Sequence, residues 1–248
     1  MTFRVAALIP TYQNPRTIAG VVDAVRAHLP DVLVVDDGSG PEGRAACAAL
    51  ADRATVHHRA QNGGKGAAVR TGFELLRAAG FTHALQVDGD GQHDLSAVPA
   101  FLAAGREDSA ALVVGYPEYD GTVPRSRLSA RKITNFWVDL EVGKGVIRDA
   151  MIGLRLYPIG ASLASGARGN RMEFDVEIAV RMARAGVPIR NLPVRVRYLT
   201  VEEGGVSHFR PFWDNVRMSW FHSRICTAAS FHWVLRQLTR PFRKGPTA

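Results

Sequence analysis

Cysteine is scarce in this sequence. Its 248 residues hold two, Cys47 and Cys226, with no CxxC pair and no regular ladder of spacings. That excludes a disulfide scaffold and a zinc ribbon and suits a reducing compartment. Long hydrophobic runs are missing too. No stretch reaches the ~18 apolar residues a spanning helix needs, and the longest charge-free segment near the C-terminus, ICTAASFHWVL, falls well short. No charged-then-apolar leader opens the chain. MTFRVAALIPTYQ carries one arginine and a short apolar run, so it reads as a first strand and not as a signal peptide. There is no GxxxxGK run closed by Ser or Thr, and no GxGxxG after the first strand, which ends in IPTYQN. A P-loop and a dinucleotide fingerprint are thereby excluded. The signatures of RNA-recognition, KH and helix-turn-helix modules are absent as well, so the net charge of +8 is not read as a nucleic-acid footprint. Internal repeats and low-complexity segments are not found.

What is present reads as one globular α/β domain, because 46% hydrophobic against 22% charged residues is the balance of a folded chain. Compact apolar runs at 4–11, 31–39, 54–60, 82–90 and 110–117 predict strands. Helical spacing at 15–29, 42–52, 64–80 and 95–105 predicts the helices between them. Uniformly apolar strands are buried on both faces, and strand–helix alternation implies a mostly parallel sheet covered by helices. After 117 the pattern changes. Residues 118–148 read as basic and loop-like, then mixed helical, 149–158 as a strand, and 172–186 as an amphipathic helix ending at Gly186. The run 189–199 reads as a strand whose Pro193 puts it at an edge.

In open parallel sheets, ligands sit beyond the carboxyl ends of the strands. Three strands here end in acid-and-glycine turns: VVDDGSG, VDGDGQHD and VVGYPEYDG. Asp36, Asp37, Asp88 and Asp90 therefore gather along one rim. Gly89 lets one turn bring Asp88 and Asp90 to the same side, and hard oxygen ligands there suit Mg²⁺ or Mn²⁺ with substrate phosphates. Asp94, just ahead of a helix, reads as a cap. NGGKGAAVRTG opens a helix with a glycine-rich turn; its amides could hold an anion beside Lys65, or simply make a tight turn. Asp175 and Glu177, two residues apart on a helix, cannot share a face. Arg125, Arg127, Arg131 and Lys132 crowd one octapeptide and suit a phosphate or a lipid headgroup.

Taken together and in order, IPTY, VVDDGS, NGGKGAAVRTG and VDGDGQH resemble the motifs of the GT-A-fold family 2 glycosyltransferases, in particular the dolichyl-phosphate mannosyltransferase-like, or polyprenol-phosphate, branch. DAMIGLRLYP resembles that branch's D-x-x-x-G-x-R segment, and EFDVEIAVRMARAG, NLPVRVRY and GGVSHFR resemble its later part. The resemblance covers roughly 4–210. It implies a GT-A domain over 1–208, with a nucleotide-sugar half at 1–117 and an acceptor half at 118–208. It implies nucleoside contacts from Pro10, Tyr12 and Asp37, with Asp36 beside them, and Lys65 near the base or phosphate. Asp88 and Asp90 match the DxD pair, with Asp90 on the metal and Asp88 nearer the ribose or metal, and Gln92 matches a further metal-side residue. Glu177 matches an acid of the acceptor side, and Arg127 and Arg131 match residues that grip acceptor phosphate. The expected activity is inverting transfer from a UDP- or GDP-sugar, with Mg²⁺ or Mn²⁺, to a lipid-linked phosphate or to a hydroxyl. A hydroxyl would call for Glu177 or Asp175 as base. The sequence departs from the pattern at YQN, where Asn14 replaces an acid, and in lacking spanning helices after the catalytic part.

Two other classes compete. A nucleotidyltransferase would carry a basic Gly-rich loop after the first strand, which IPTYQNPRT is not; a non-catalytic nucleotide-binding scaffold would not retain Asp88, Asp90 and Lys65. From 201 onward seven Lys/Arg face three Asp/Glu, and Phe209, Phe212, Val216 and Trp220 fall on one helical face. This basic, aromatic stretch, 209–248, reads as an amphipathic extension that lies on anionic membrane, which would place the protein in the cytoplasm and at the inner face of the cell membrane. The alternative for its aromatics is packing on the domain or in a homodimer contact.

Overall fold

Apolar strand runs need cover on both faces, and helices supply it. In the computed structural model, which describes residues 2–119, 123 and 125–197, β1 (Val5–Thr11), β2 (Val32–Asp36) and β4 (His83–Gln86) are buried along their length except at Val5. With β3 (Thr55–His58), β5 (Leu112–Tyr119), β6 (Arg155–Pro158) and β7 (Ile189–Val196) they form one seven-stranded sheet, ordered β3-β2-β1-β4-β6-β5-β7. Only β6 runs antiparallel, pairing with β4 and β5; the other pairs are parallel. The helices are α1 (Ile18–Arg26), α2 (Pro41–Ala48), α3 (Lys65–Ala78), α4 (Val98–Glu107), α5 (Arg125–Val142), α6 (Ile159–Ala164) and α7 (Glu173–Arg184). The expected α/β architecture with a mostly parallel sheet is what is found, and Pro193 does lie on an edge strand, where a missing N–H is tolerated.

Three local expectations are corrected. Residues 149–158 do not form one strand. Asp149 Oδ1 accepts from the amides of Met151 and Ile152 (2.9 and 2.8 Å), which folds 149–153 into a turn and leaves only 155–158 in the sheet. The basic stretch after 124 is a full helix, α5, and not a loop. The helix expected from 95 opens with a 3-10 turn, with Asp94 capping it by accepting from Ser96 N (3.0 Å). The segment 209–248 lies outside the described residues.

Register brings the acids together. Thr11 lies opposite Asp36, and Leu8 opposite Gln86, so β1, β2 and β4 deliver residues 11–14, 36–40 and 87–92 to the same end of the sheet. The helix that brings in Lys65, α3, seats on β1 without a spacer. A Cβ at Gly72 would overlap both methyls of Leu8, itself fully buried. Gly72→Ala should therefore lower stability in urea unfolding by about 1–3 kcal/mol, although helix propensity alone would raise it by about 1 kcal/mol. A stabilised variant would show that α3 rides free of the sheet.

Candidate active site

The DGDG turn follows β4. Val87 N still bonds to Leu8 O (3.0 Å), after which the chain leaves the sheet. The turn is held from three directions. Thr17 Oγ1 donates to Gly89 O (2.6 Å), Gln92 N donates to Asp90 Oδ1 (3.1 Å), and Arg197 N, just past β7, donates to Gln92 O (3.0 Å). Lys65, the first residue of α3, places Nζ 2.6 Å from Asp88 Oδ1 and 2.7 Å from Asp175 Oδ2. Asp175 is 1% exposed and also accepts from Gln86 Nε2 (3.4 Å). Burial acts to depress the Lys65 ammonium, but Asp175 and then Asp88 outweigh it and hold it above the usual lysine range. For Asp88 burial acts upward, and Lys65 and then His93 outweigh it, so its carboxyl lies below the usual range.

Asp90 behaves in the opposite way. Burial, then the charge of Asp88, pushes its carboxyl above the usual range, and no lysine or arginine pairs with it among the described residues. A carboxylate held near another without its own cation is a site that a divalent ion relieves. Nearby, His93 Nδ1 is buried without a hydrogen-bond partner. Among the described residues no group of three or more His, Cys, Asp or Glu could hold a metal alone. The donors present, the oxygens of Asp88 and Asp90 at one rim, are of the hard kind that suits Mg²⁺ or Mn²⁺ completed by substrate phosphates.

The floor of this site is the turn 149–153. Arg155 is fully buried and donates to Ile152 O (2.8 Å), Ala150 O (2.7 Å), Asp175 O and Tyr157 OH. A Cβ at Gly153 would overlap the Asp88 carboxylate, so Gly153 is the space Asp88 occupies. The D-x-x-x-G-x-R spacing thus has a physical reading, and Asp149, Gly153 and Arg155 are site residues that apolar patterning alone passes over. The signal available for Arg155 was a lone arginine inside an otherwise apolar run.

Several expected site residues are engaged inside the protein. Asp37 accepts from the amides of Gly63 (3.1 Å) and Gly64 (2.6 Å) and from Arg59. The Gly-rich turn therefore already holds an anion, and that anion is Asp37. Gly64, at φ +93°, lies so close to Asn170 O that no Cβ fits, so the glycines here also serve close packing. Asp36 is 1% exposed, accepting from Ser39 N (3.0 Å) and pairing with His58 (2.8 Å). Pro10 is buried in β1 opposite Val35, and Tyr12, half-buried, follows that strand onto the rim. Glu177 accepts from Arg168 N (3.0 Å), Gly169 N (2.6 Å) and Arg181 Nε (2.7 Å), which fixes the loop before α7; of the two acids left open, it is Asp175 that meets Lys65. Arg131 donates to both oxygens of Asp149 (2.6 Å each), tying α5 to the site floor. The side chain of Arg127 lies outside the described residues.

Residues 6–163 match the model of glycosyl transferase family 2. The chain belongs to this family. It is 30% identical over 234 residues to the polyprenol monophosphomannose synthase of Mycolicibacterium smegmatis, covering 89% of this chain and 85% of that one. It is 29% identical over 204 residues to the undecaprenyl-phosphate mannosyltransferase of Micrococcus luteus, covering 77% and 82%. Among solved structures it resembles glucosyl-3-phosphoglycerate synthase from Mycobacterium tuberculosis in complex with Mn²⁺, UDP and glucosyl-3-phosphoglycerate. The TM-score is 0.63, at 20% identity, over 87% of this chain and 76% of that one. This likeness establishes the GT-A type of fold, and family 2 membership makes the chain a glycosyltransferase.

Two substitutions probe the rim of this family 2 site. Gly153→Ala should keep the fold and reduce turnover by ~100-fold or more, since ~1 Å misplacement of a site group costs that much; wild-type turnover would mean that Asp88 need not hold its place. Ionising Asp90 opposes the folded state: stability that is full below the unfolded pKa is lost as pH rises through the raised folded one. Asp90→Asn should therefore raise the Tm of EDTA-treated protein at neutral pH and abolish the Tm shift given by Mn²⁺. A mutant with the wild-type Mn²⁺ shift would remove Asp90 from the ligands.

Proposed function

We propose that this family 2 enzyme moves a sugar from a nucleotide-diphosphate sugar to a polyprenyl phosphate, with inversion at the anomeric carbon. The observation that carries this reading is the rim at the end of β4, where Asp88, Asp90 and Lys65 converge with Asp175 behind them. A bound Mg²⁺ or Mn²⁺ supplies positive charge against the diphosphate leaving group. The protein's own part is to hold Asp88 and Asp90 for that ion and to keep Lys65 beside them, where its charge favours the transition state over the ground state. Pro10, Tyr12, Asp36 and Asp37 shape the nucleoside side of the rim, and Gln92 lies on its metal side.

The committed acids speak for a phosphate acceptor. A hydroxyl needs a general base in reach. Glu177 is bound by two amides and an arginine, and Asp175 is paired with Lys65, so both acids are already engaged within the protein. A phosphate oxygen needs none: it attacks the anomeric carbon, and the bond to the diphosphate breaks with its electron pair leaving on the diphosphate. The names of the M. smegmatis and M. luteus relatives support the same acceptor class. Arg127 would hold the acceptor phosphate, and Arg131 serves by keeping 149–153 in place. The reading has the enzyme meet its lipid at the inner face of the cell membrane; no helix among the described residues is long and apolar enough to cross one.

The test is transfer itself. UDP- and GDP-sugars, Mn²⁺ and a polyprenyl phosphate should give lipid-linked sugar and free nucleoside diphosphate, abolished by EDTA. Transfer to hydroxyl acceptors alone would overturn the acceptor class. The cognate nucleotide with Mn²⁺ at a hundred times its Kd should raise unfolding free energy by about 2.7 kcal/mol. Asp175→Asn should cut kcat by about tenfold or more, by loosening one arm of Lys65, while nucleotide binding persists.

A further inference from the structure

The large apolar side chains most exposed among the described residues are Ile133, Phe136, Leu140 and Val146, at 56%, 59%, 62% and 37%. They belong to α5 and the turn after it. The first three fall at steps of three and four and form one stripe along the helix, about 10 Å from Ile133 to Leu140. Trp137 borders it, its ring edge-on to Phe136 at 5.9 Å. The opposite side of α5 is seated: Thr134 and Val138 are buried, and the helix packs on α7. The stripe therefore faces outward on an anchored helix, which marks an interaction surface.

Its surroundings are basic. Lys132, Lys144 and Arg148 are exposed beside it. The two acids of the segment are engaged within the chain, Asp139 accepting from Gly145 N (2.9 Å) and Glu141 standing 3.7 Å from Arg184. We propose that this stripe seats the enzyme on an anionic lipid bilayer, with Ile133, Phe136 and Leu140 entering the interface and the lysines meeting headgroups. The inference deepens the polyprenyl-phosphate reading and rests on it. Charge selects the occupant. A second copy docked across a twofold axis would set lysine against lysine, each of Lys132 and Lys144 meeting its own equivalent or the other of the two. The segment from 201 onward carries seven basic residues against three acidic ones, so it too opposes this rim. An apolar stripe edged by cations is what an interfacial helix presents to anionic lipid. The location is consistent as well. Arg131 holds Asp149, and Asn135 bonds both Arg148 O (3.2 Å) and Ala150 N (3.3 Å), so α5 is fastened to the turn that abuts Asp88. A bilayer under α5 lies beside the place where a lipid phosphate would react.

Flotation of the full chain with vesicles of phosphatidylcholine, alone or mixed with phosphatidylglycerol, tests this. Wild type should float with the anionic vesicles, less so at high salt. Phe136→Ser combined with Leu140→Ser should reduce partition about tenfold or more, and Lys132→Gln with Lys144→Gln should erase the preference for anionic lipid. Melting temperature and transfer to a short-chain, detergent-dispersed acceptor phosphate should stay at wild-type values in the serine variant. Equal flotation of wild type and the serine variant overturns the proposal. So does a wild-type dimer in sedimentation velocity that the serine variant dissolves, and so does no flotation of wild type, which would point to an acidic protein partner. If the serine variant loses flotation and no form of the enzyme transfers sugar to a phosphate acceptor, the acceptor reading fails and the lipid seat stands.

Discussion

The ammonium of Lys65 lies between Asp88, from the end of β4, and Asp175, from the first turn of α7, within 2.7 Å of both. Burying three charges is costly, and such a group returns little net stability compared with apolar packing; losing one partner, however, strands the others at a cost of about 3–5 kcal/mol. Its value is positional. Three elements widely separated in the chain can meet at one nitrogen only if sheet, α3 and α7 are all in register. Gln86 and Arg155 extend the constraint, one bonding the Asp175 side chain and the other its backbone carbonyl.

Close backbone approach is the second condition. Gly153 leaves the volume that the Asp88 carboxylate fills, and Gly66 leaves room for Gly169 O and the Phe174 ring. A side chain at either place would separate the pieces that Lys65 joins. The carboxylates divide by task accordingly. Asp36, Asp37, Asp149 and Glu177 hold loops by accepting backbone amides, while Asp88 and Asp90 remain at the rim.

The sheet was legible because buried parallel strands are apolar on both faces and leave an unambiguous alternation with helices. The DGDG turn was legible for a related reason: carboxylates two apart at the end of a buried strand have no packing purpose. What escaped was partner choice. Asp175 and Glu177 are chemically alike in sequence, and only the helix phase and the position of the loop at 168–169 decide which one meets Lys65. The amides of Gly63 and Gly64 looked open to a ligand because Asp37 lies 26 residues earlier and reaches them only across the β2–β3 side of the sheet. Arg131 looked free for a phosphate because Asp149, its partner, belongs to a turn that the apolar run at 149–158 disguised as a strand.

The region matched to the family ends at residue 163, yet the second counter-ion of Lys65 is Asp175 and the strand that holds the far side of the DGDG turn ends at Val196. The border of the family model's match and the border of the working unit therefore do not coincide, although similarity to the M. smegmatis relative runs over 89% of the chain. A fragment excised at the former would retain both rim aspartates and the lysine but lose α7 and β7, leaving the ammonium with one arm and the sheet without its last strand. For this molecule the smallest self-sufficient piece has to be drawn around the ion triad, beyond residue 163, where the match to the family model ends.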